Sequence, residues 1–230
     1  MEFNKIIEKL QSGELDQAIS SYSGLEDVSE LRLRWTLFLK RNSQYFKDEQ
    51  VHLLSVPGRT EVGGNHTDHQ RGSVLAASLS LDTVAAVCTI DSLNAEIYSE
   101  GFEIHPVDLS DLKVHLEEKE TSEALIRGVA ASFVKRGYKV GGFKAVMNSQ
   151  VLKGSGMSSS ASFEVMIGLI LSVLYNEGKI AHEELAVIAQ EAENSYFGKP
   201  CGLMDQMACA VGGAVAIDFK EKNQPVIEKV

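Results

Sequence analysis

The segment SVPGRTEVGGNHTDHQRG, residues 55–72, is rich in side chains that could do chemistry and poor in apolar ones. Arginine, glutamate, aspartate and histidine lie among four glycines. The polar side chains donate and accept hydrogen bonds, and the glycines let the backbone approach a ligand closely. This composition indicates a polar loop that meets a ligand.

A second segment, KGSGMSSSAS at residues 153–162, has the composition of an anion cradle. Two glycines allow close backbone approach, and three successive serines then open a helix whose first amide groups have no partner inside the helix. Free N–H groups, the positive end of the helix dipole and hydroxyl oxygens suit phosphate and Mg²⁺. A serine-capped helix after a glycine turn explains the same pattern, so this segment alone does not decide between the two. It is not a P-loop, because Lys153 precedes the glycines.

A third segment, AENSYFGKPCGLMDQ at residues 192–206, contributes two carboxylates. Asp205 lies among glycine, proline and apolar residues, where a carboxylate can be partly desolvated and act as a base or an electrostatic anchor. Glu193 falls at the border of an apolar helix face, where it could bind Mg²⁺ together with phosphate oxygens. A turn aspartate and a solvated helix glutamate are the alternatives, and both stay open at this point.

The bulk composition favours a globular protein with small-molecule ligands. The chain has 230 residues, of which 44% are hydrophobic, and a formal net charge of −10. This charge argues against nucleic-acid and anionic-membrane partners, because binding to phosphate polymers needs surplus lysine and arginine. The start lacks a signal-peptide pattern and no apolar run is long enough to cross a bilayer, so we expect a cytoplasmic location. Three cysteines without metal-ligand spacing are expected to be reduced and mostly buried.

Apolar periodicity predicts a mixed α+β fold. We expect an N-terminal helical extension over residues 1–50, although alternation near its end leaves a strand open, and we expect Trp35, Leu37 and Phe38 to pack on the remaining region, 51–230. Strands 83–90 and 95–100 are expected to form an antiparallel unit around a turn. The other predicted elements are strands near 52–56, 141–151 and 214–219, and helices near 121–137, 163–175 and 182–198.

Taken together, in this order and spacing, the three segments resemble the signature segments of galactokinases, within the superfamily of sugar, homoserine, mevalonate and phosphomevalonate kinases. The resemblance runs from about His52 to the end of the chain. It implies the N-terminal domain of the galactokinase-type fold, a mixed and antiparallel sheet with packed helices similar to domain 2 of ribosomal protein S5. It also implies phosphoryl transfer from ATP to the anomeric hydroxyl of galactose or a related sugar, with Mg²⁺. The implied partners are a sugar and ATP, with no nucleic acid and no membrane.

The resemblance also implies roles for individual residues. Asp205 matches the catalytic base, and Arg59 matches the catalytic arginine beside it. The implied substrate-binding residues are Arg59, Glu61, Asn65, His66, Asp68, His69, Gly202 and Asp205. The implied ATP-binding residues are Lys153, Gly154, Ser155, Gly156, Met157, Ser158, Ser159, Ser160 and Ala161. The implied metal ligands are Ser160 and Glu193.

Three positions leave the family pattern. Glu61 stands where the family has Asn, Asn65 where it has Glu, and His69 where it has Tyr. An amide donates and accepts hydrogen bonds whereas a carboxylate only accepts, so altered sugar specificity or weaker sugar binding is the hypothesis that follows. His69 also fits an ordinary loop or core histidine.

Length is a further departure. Galactokinases are two-domain proteins with the ligand cleft between the domains, and this shorter chain resembles the N-terminal domain alone, with the C-terminal domain absent. We therefore expect little or no turnover from these residues by themselves, because water exclusion and substrate alignment need both walls of the cleft. We also expect an exposed domain face that favours self-association.

Three other functions fit parts of the pattern. A catalytically inactive sugar- and ATP-binding regulator would keep the fold and the loops, although it has less need of both Arg59 and Asp205. A kinase for a non-sugar alcohol such as homoserine or mevalonate would not need the HTDH segment at residues 66–69. A structural domain in which the motifs are relics would bind neither ligand.

Overall fold

A seven-stranded sheet forms the centre of the fold, and helices cover both of its faces. The structure is a computed structural model that describes residues 1–23, 27–47, 49–152, 154–221 and 225–230, excluding the side chains of Tyr22 and His69. The strands are β1 (His52–Gly63), β2 (Ser73–Thr89), β3 (Asn94–Ser99), β4 (Val107–Asp108), β5 (Phe143–Ser149), β6 (Ala214–Asp218) and β7 (Val226–Lys229). The α-helices are α1 (Phe3–Ser12), α2 (Asp16–Ser23), α3 (Ser29–Arg41), α4 (Ser122–Lys135), α5 (Ser159–Tyr175), α6 (His182–Ala192) and α7 (Met204–Val211). The α+β class predicted from the sequence is confirmed.

The long strand β2 organises the sheet. One of its edges pairs with β1 along most of its length, and its other edge pairs first with β6 and then with β5. Along its second half, Val84 and Ala86 face one layer of helices while Ala85 and Val87 face the other. Burial on both faces explains why this strand is a continuous apolar run instead of an alternating one.

The strand order corrects one prediction. Residues of β2 and β3 were expected to form an antiparallel unit, but β5 lies between them, antiparallel to β2 and parallel to β3. Parallel neighbours need a crossover connection, and α4 lies in the connection from β3 to β5. The turn after β2 thus joins two strands that are not neighbours.

Helices α4, α5 and α6 pack on one face of the sheet and form its larger core. Helix α4 begins at a cap in which Thr121 Oγ1 accepts a hydrogen bond from the Ala124 amide at 3.4 Å. Helix α5 is apolar nearly all round, and Ile167, Ile170 and Leu171 are fully buried. The central position predicted for this helix is confirmed.

Helices α1, α2 and α3 contribute to the core on the opposite face, where α3 takes the place of the strand left open by the sequence. Trp35 and Phe38 are buried as expected, with ring centroids 5.8 Å apart. Leu37 is 43% exposed, so its predicted burial is wrong, because α3 turns this position away from the sheet. An ion pair between Arg34 of α3 and Asp82 of β2 joins the helix to the sheet. The division into regions 1–50 and 51–230 stays a prediction.

Cys88, Cys201 and Cys209 are free, and Cys88 and Cys209 are buried, as predicted. Among the helices that the structure describes, none has both the length and the apolar character needed to cross a membrane.

Two leucines on α3 give a matched test of this packing. We expect Leu39→Ala, at a site 0% exposed, to lower the free energy of unfolding by about 2–5 kcal/mol, because it leaves a cavity against the sheet. Leu37→Ala makes the same chemical change at an exposed site and should shift it by less than about 0.5 kcal/mol. Urea unfolding followed by circular dichroism measures both values. Equal effects would contradict the packing of α3 on the sheet.

Candidate functional site

The first polar segment is not a loop throughout, because β1 continues through Pro57 to Gly63. The prediction that this strand ends before Pro57 is wrong. The pairing of β1 with β2 shifts between Pro57 and Arg59, where Gly58 alone lies opposite residues 79–81, so the extra residues of this bulge belong to β2. A Cβ on Gly58 would lie 2.9 Å from the Met157 carbonyl oxygen. The missing side chain of Gly58 therefore lets β1 lie against the serine segment, where the Arg59 amide donates to that same carbonyl at 3.1 Å.

Arg59 and Asp205 form a bidentate ion pair at the centre of the candidate site. Arg59 Nε lies 2.7 Å from Asp205 Oδ1, and Nη2 lies 2.8 Å from Oδ2. The remaining nitrogen, Nη1, donates to the Gly156 carbonyl at 2.7 Å. Arg59 is buried, so these contacts satisfy a guanidinium removed from water. The pair connects β1, the serine segment and α7.

Asp205 is held as a carboxylate. Burial acts to raise its pKa, but hydrogen bonds from Arg59 and from the Ser158 hydroxyl, which donates to Oδ2 at 2.5 Å, outweigh burial and lower the pKa below the usual value. Of the two carboxylate oxygens, Oδ1 accepts one of these bonds and Oδ2 accepts two, so Oδ1 keeps room to accept another donor.

The serine segment has the backbone of an anion cradle. Gly154, Gly156 and Ser158 all have φ between 59° and 79°, and a Cβ on either glycine would meet nothing within 4 Å. Ser158 is the N-cap residue of α5 but makes no side-chain cap bond, so the first amides of the helix are not capped by its hydroxyl. Left-handed residues followed by open helix amides form a concave surface that suits phosphate.

The serines themselves divide into three roles. The Ser158 hydroxyl contacts Asp205, and the Ser162 hydroxyl is buried against the Val56 carbonyl and Thr83. Ser159 and Ser160 line a cavity of about 180 Å³ beside the segment. The aromatic and aliphatic side chains around this cavity include those of Phe102, Ile104, Leu125, Val151, Phe163 and Phe197.

A larger cavity, of about 560 Å³, lies beside Arg41, Tyr45 and Tyr98 and contains none of the predicted site residues. The smaller cavity is the better candidate for a ligand of this site, because it adjoins the serine segment. Lys153, predicted to bind ATP, lies outside the described residues. Ala161, also in that predicted set, is fully buried in α5.

Asp68 is anchored to the helix that carries Asp205. It lies in a 3₁₀ turn, Thr67–Gln70, and its Oδ2 accepts the Met204 amide at 3.2 Å, in the first turn of α7. A Cβ on Gly202 would lie 1.6 Å from the same oxygen, so only glycine leaves space for this contact. Asp68 and Asp205 therefore both lie at the N-terminus of α7, whose dipole favours negative charge.

Glu61, Asn65 and His66 belong to one tight turn. Gly64, Asn65 and His66 have positive φ values in succession, at 120°, 54° and 49°. The Glu61 carboxylate accepts the His66 amide at 2.9 Å and lies 3.1 Å from His66 Nε2. Asparagine tolerates the left-handed region better than glutamate does, so Asn65 suits this turn and Glu61 braces it. The side chain of His69 lies outside the described part of the chain.

Glu193 is buried, which excludes the solvated alternative for this residue. It begins a π-helical turn, Glu193–Phe197, at the end of α6, and its Oε2 accepts a hydrogen bond from Gln206 at 2.8 Å. In the part of the chain that the structure describes, its side chain contacts Gln206 and Lys199 and makes no hydrogen bond to Ser160, the other predicted metal ligand. Within the described ranges there is no group of three or more His, Cys, Asp or Glu side chains that could hold a metal.

Three residues of this site were missed by sequence reasoning. Gly58 permits the close approach of two backbones, and Gln206 and Glu164 form a buried polar pair behind Asp205. A signal for Glu164 was available, because it is the one charged residue in the apolar sequence of α5. A charge in a helix that is buried all round needs a partner.

A pair of glycines tests the contact between Gly202 and Asp68. We expect Gly202→Ala to lower the free energy of unfolding by about 1–3 kcal/mol, because Asp68 must move to admit the methyl group. Gly63→Ala is the control, since a Cβ there would meet nothing within 4 Å. Chemical denaturation gives both values. A Gly202→Ala protein as stable as the control would contradict the close contact.

Two sequence families match parts of this chain that meet at the site. Residues 42–89 match the galactokinase galactose-binding signature, and residues 124–213 match the GHMP kinases N terminal domain. A galactokinase of Clostridium tetani (strain Massachusetts / E88) is 34% identical over 157 residues, which cover 68% of this chain and 40% of the relative. A galactokinase of Bacillus subtilis (strain 168) is 33% identical over 174 residues, which cover 74% and 44%. The chain spans less than half the length of these relatives.

Solved structures agree with the family matches. The Lactococcus lactis galactokinase complexed with galactose has a TM-score of 0.74 and 27% identity, over 83% of this chain and 50% of that one. The Methanococcus jannaschii mevalonate kinase, with a TM-score of 0.64 and 12% identity over 79% of this chain and 56% of that one, shares the fold. Arg59 and Asp68 lie in the segment that matches the galactokinase signature, and Asp205 and the serine segment lie in the segment that matches the GHMP kinase domain. Residues from both matched segments therefore meet in one site. The chain therefore belongs to the galactokinase family of GHMP kinases.

Proposed function

We propose that this chain takes part in ATP-dependent phosphorylation of the anomeric hydroxyl of galactose or a related sugar, giving a sugar 1-phosphate and ADP. The observation that carries the proposal is the contact of Asp205 with both Arg59 and Ser158, beside an anion cradle and one residue from the anchor of Asp68. A carboxylate, a cation, a phosphate cradle and a polar loop in one place are what phosphoryl transfer to a hydroxyl requires. Sugar 1-kinases combine these parts.

In this reaction Asp205 orients the attacking hydroxyl. Its Oδ1 has room to accept the hydroxyl proton in a hydrogen bond, while Oδ2 is taken by Arg59 and Ser158. The lowered pKa makes Asp205 a weak base, so full removal of the proton occurs late, as phosphorus–oxygen bonding develops. Phosphoryl transfer through a loose transition state makes little demand on basicity, and alignment is the larger contribution.

Arg59 has two tasks. Through Nε and Nη2 it fixes the plane of the Asp205 carboxylate, and through Nη1 it holds the Gly156 carbonyl of the cradle. The base and the cradle therefore keep a constant separation, which is the condition for in-line attack on a bound phosphate. Its positive charge also offsets charge that develops on the transferred group.

The cradle and the cavity beside it suit a nucleotide. Open amides at the start of α5 and the hydroxyls of Ser159 and Ser160 face the phosphates, and the cavity that these serines line has the apolar and aromatic walls that a purine base packs against. A volume of about 180 Å³ takes a base but not a whole nucleotide. The phosphates then extend along the serine segment.

The donor types at Ser160 and Glu193 fit Mg²⁺, which prefers oxygen ligands and completes its shell with water and phosphate. Glu193 has one oxygen fixed by Gln206 and the other 3.7 Å from the ammonium of Lys199, so the carboxylate already attracts a cation. When bound, the ion neutralises charge on the phosphates. Ser160 and Glu193 would hold it at the cradle.

Sugar recognition rests on the turn between β1 and β2. Glu61 is engaged by His66, so its carboxylate braces the loop and is not free to bind sugar. Asn65 presents an amide where the family pattern has a carboxylate, and the amide can donate as well as accept. We infer that this pocket reads the outer hydroxyls of the sugar differently from a galactose enzyme with the usual pattern.

Asp68 provides the test of sugar binding. We expect galactose to raise the melting temperature of the chain, and Asp68→Asn to abolish this shift, because the variant loses a charged acceptor in the sugar loop. Asp91→Asn is the control, in the exposed turn after β2. Differential scanning fluorimetry with and without Mg²⁺ and ATP measures the shifts. A shift by ATP without any shift by sugars would favour a kinase for a non-sugar alcohol.

Transfer itself separates a kinase from an inactive sugar- and ATP-binding regulator. Radiolabelled phosphate should move from ATP to the sugar in a single-turnover experiment with excess chain, and Asp205→Asn should slow this step. Transfer that Asp205→Asn slows would exclude the inactive regulator. Binding of both ligands without any transfer fits both the regulator and the lack of turnover expected of these residues alone.

Substitution of Glu61 and Asn65, two residues that differ from the family pattern, tests the sugar specificity. We expect galactose to be preferred less than tenfold over its epimers in the natural chain, and the double variant Glu61→Asn/Asn65→Glu to increase that preference, because it restores a carboxylate at position 65. Isothermal titration with galactose, glucose and talose gives the ratios. The single variant Glu61→Asn controls for loss of the brace on His66. A natural chain that prefers galactose tenfold or more over every epimer would contradict the altered specificity.

A further inference from the structure

A buried polar network lies behind Asp205. Glu164 on α5, Glu193 at the end of α6 and Gln206 on α7 are 0%, 3% and 0% exposed. The Gln206 amide nitrogen donates to Glu164 Oε2 at 3.2 Å and to Glu193 Oε2 at 2.8 Å, and it lies 3.6 Å from the Cys201 sulfur. One carboxamide thus joins two carboxyl groups from different helices, and both hydrogens of its NH₂ group are in use.

Glu164 holds Gln206 from α5, through the hydrogen bond that its Oε2 accepts. Burial, together with the nearby Glu193 carboxylate, raises the pKa of Glu164 well above its usual range. Glu164 Oε1 and Gln206 Oε1 are both buried, and neither has a hydrogen-bond partner among the residues that the structure describes. A neutral carboxyl has one O–H donor and a carboxamide oxygen is an acceptor, so these two atoms are chemically matched. The bond from Gln206 Nε2 to Glu164 Oε2 therefore helps to fix the orientation of the Gln206 carboxamide.

The two oxygens of Glu193 have different surroundings. Oε2 is fixed from inside by Gln206, whereas Oε1 lies 3.7 Å from the ammonium of Lys199. The Lys199 side chain is 65% exposed, so this cation reaches Oε1 from the solvent side. A carboxylate with one oxygen fixed and the other turned toward a cation has the orientation that a metal ligand needs.

We propose that Gln206 is a positioning residue for Glu193, holding Oε2 so that Oε1 faces the divalent cation that accompanies the nucleotide, while Glu164 holds Gln206. This inference rests on the proposed function, in which Glu193 serves a metal–nucleotide complex. Gln206 directly follows Asp205 on α7, so one turn of this helix carries the base and orients the metal ligand. Lys199, which now lies 3.7 Å from Oε1, would compete with the divalent cation for that oxygen.

Manganese binding tests the proposal without a need for turnover. Mn²⁺, as a spectroscopic substitute for Mg²⁺, is titrated by electron paramagnetic resonance into the chain with the β,γ-imido analogue of ATP. We expect Gln206→Leu to weaken Mn²⁺ binding about tenfold or more, as is typical when the partner of a metal ligand is lost. Galactose affinity, measured on the same protein, should change less than about twofold. A folded Gln206→Leu protein with unchanged Mn²⁺ affinity, or with equal losses of Mn²⁺ and galactose, would overturn the positioning role.

Variants of the two carboxyl groups separate this proposal from the function on which it rests. Glu193→Gln with unchanged Mn²⁺ affinity would contradict the metal role of Glu193 and, with it, the positioning role of Gln206. A loss in Glu193→Gln without a loss in Gln206→Leu overturns the positioning role alone. Glu164→Gln, which still offers hydrogen bonds to Gln206, should stay closer to the natural affinity than Glu164→Leu. The reverse order would contradict the anchoring by Glu164.

Lys199 gives an independent test on an exposed side chain, which holds even if Gln206→Leu does not fold. We expect Lys199→Ala to tighten Mn²⁺ binding about two- to fivefold, the range of an exposed ion pair, because the ammonium no longer competes for Oε1. Lys179→Ala is the matched control, since Lys179 is 77% exposed and pairs with Glu177. Equal affinities in the two variants would contradict the assignment of Oε1 to the cation.

Discussion

The bidentate pair between Arg59 and Asp205 is the contact on which the geometry of the site depends. The two residues are 146 positions apart in the sequence, and no local element brings them together. A guanidinium buried to this degree must be fully paired, so β1, the serine segment and α7 are held in one relative arrangement. The serine segment is tied directly to this pair, and Asp68 is anchored at the start of the helix that carries Asp205.

Close approach of backbones makes that arrangement sterically possible. Gly58 allows β1 to touch the serine segment, and Gly202 allows Asp68 to reach the start of α7. In each case a single methyl group would occupy space that another chain segment already fills. Gly58 and Gly202 are therefore required because they have no side chain. Gly154 and Gly156 are required for a different reason, the left-handed backbone conformation of the cradle.

The sequence predicted the residue types of the site better than their contacts. Arg59, Asp205 and the serine segment were expected together because three motifs in a fixed order resemble one family. The contact of Ser158 with Asp205, in place of phosphate, was not expected, because a hydroxyl in a Gly/Ser run suits several partners equally. The burial of Glu193 could not be decided either, since a position at the edge of an apolar face fits both solvent and core.

For the fold, too, the sequence predicted local elements better than contacts between distant segments. Helices and strands followed from local periodicity, including α5, whose apolar character has one interpretation at that length. The insertion of β5 between β2 and β3 depends on pairing between distant segments, which periodicity does not encode. The exposure of Leu37 was missed because alternation in that segment fitted two structures, and only one of them turns this leucine outward.

The central strand β2 has a consequence for the order in which the chain can fold during synthesis. Its partner β1 precedes it in the sequence, so these two strands leave the ribosome one after the other and can pair early. Thr83 must wait for Ser149, 66 residues later, and Ser78 must wait for Gly213, 135 residues later. Until then one edge of an apolar strand has unpaired amides and carbonyls, the surface to which nascent-chain chaperones and other unfolded chains bind. Production of this protein is therefore most vulnerable to aggregation before β5 and β6 emerge.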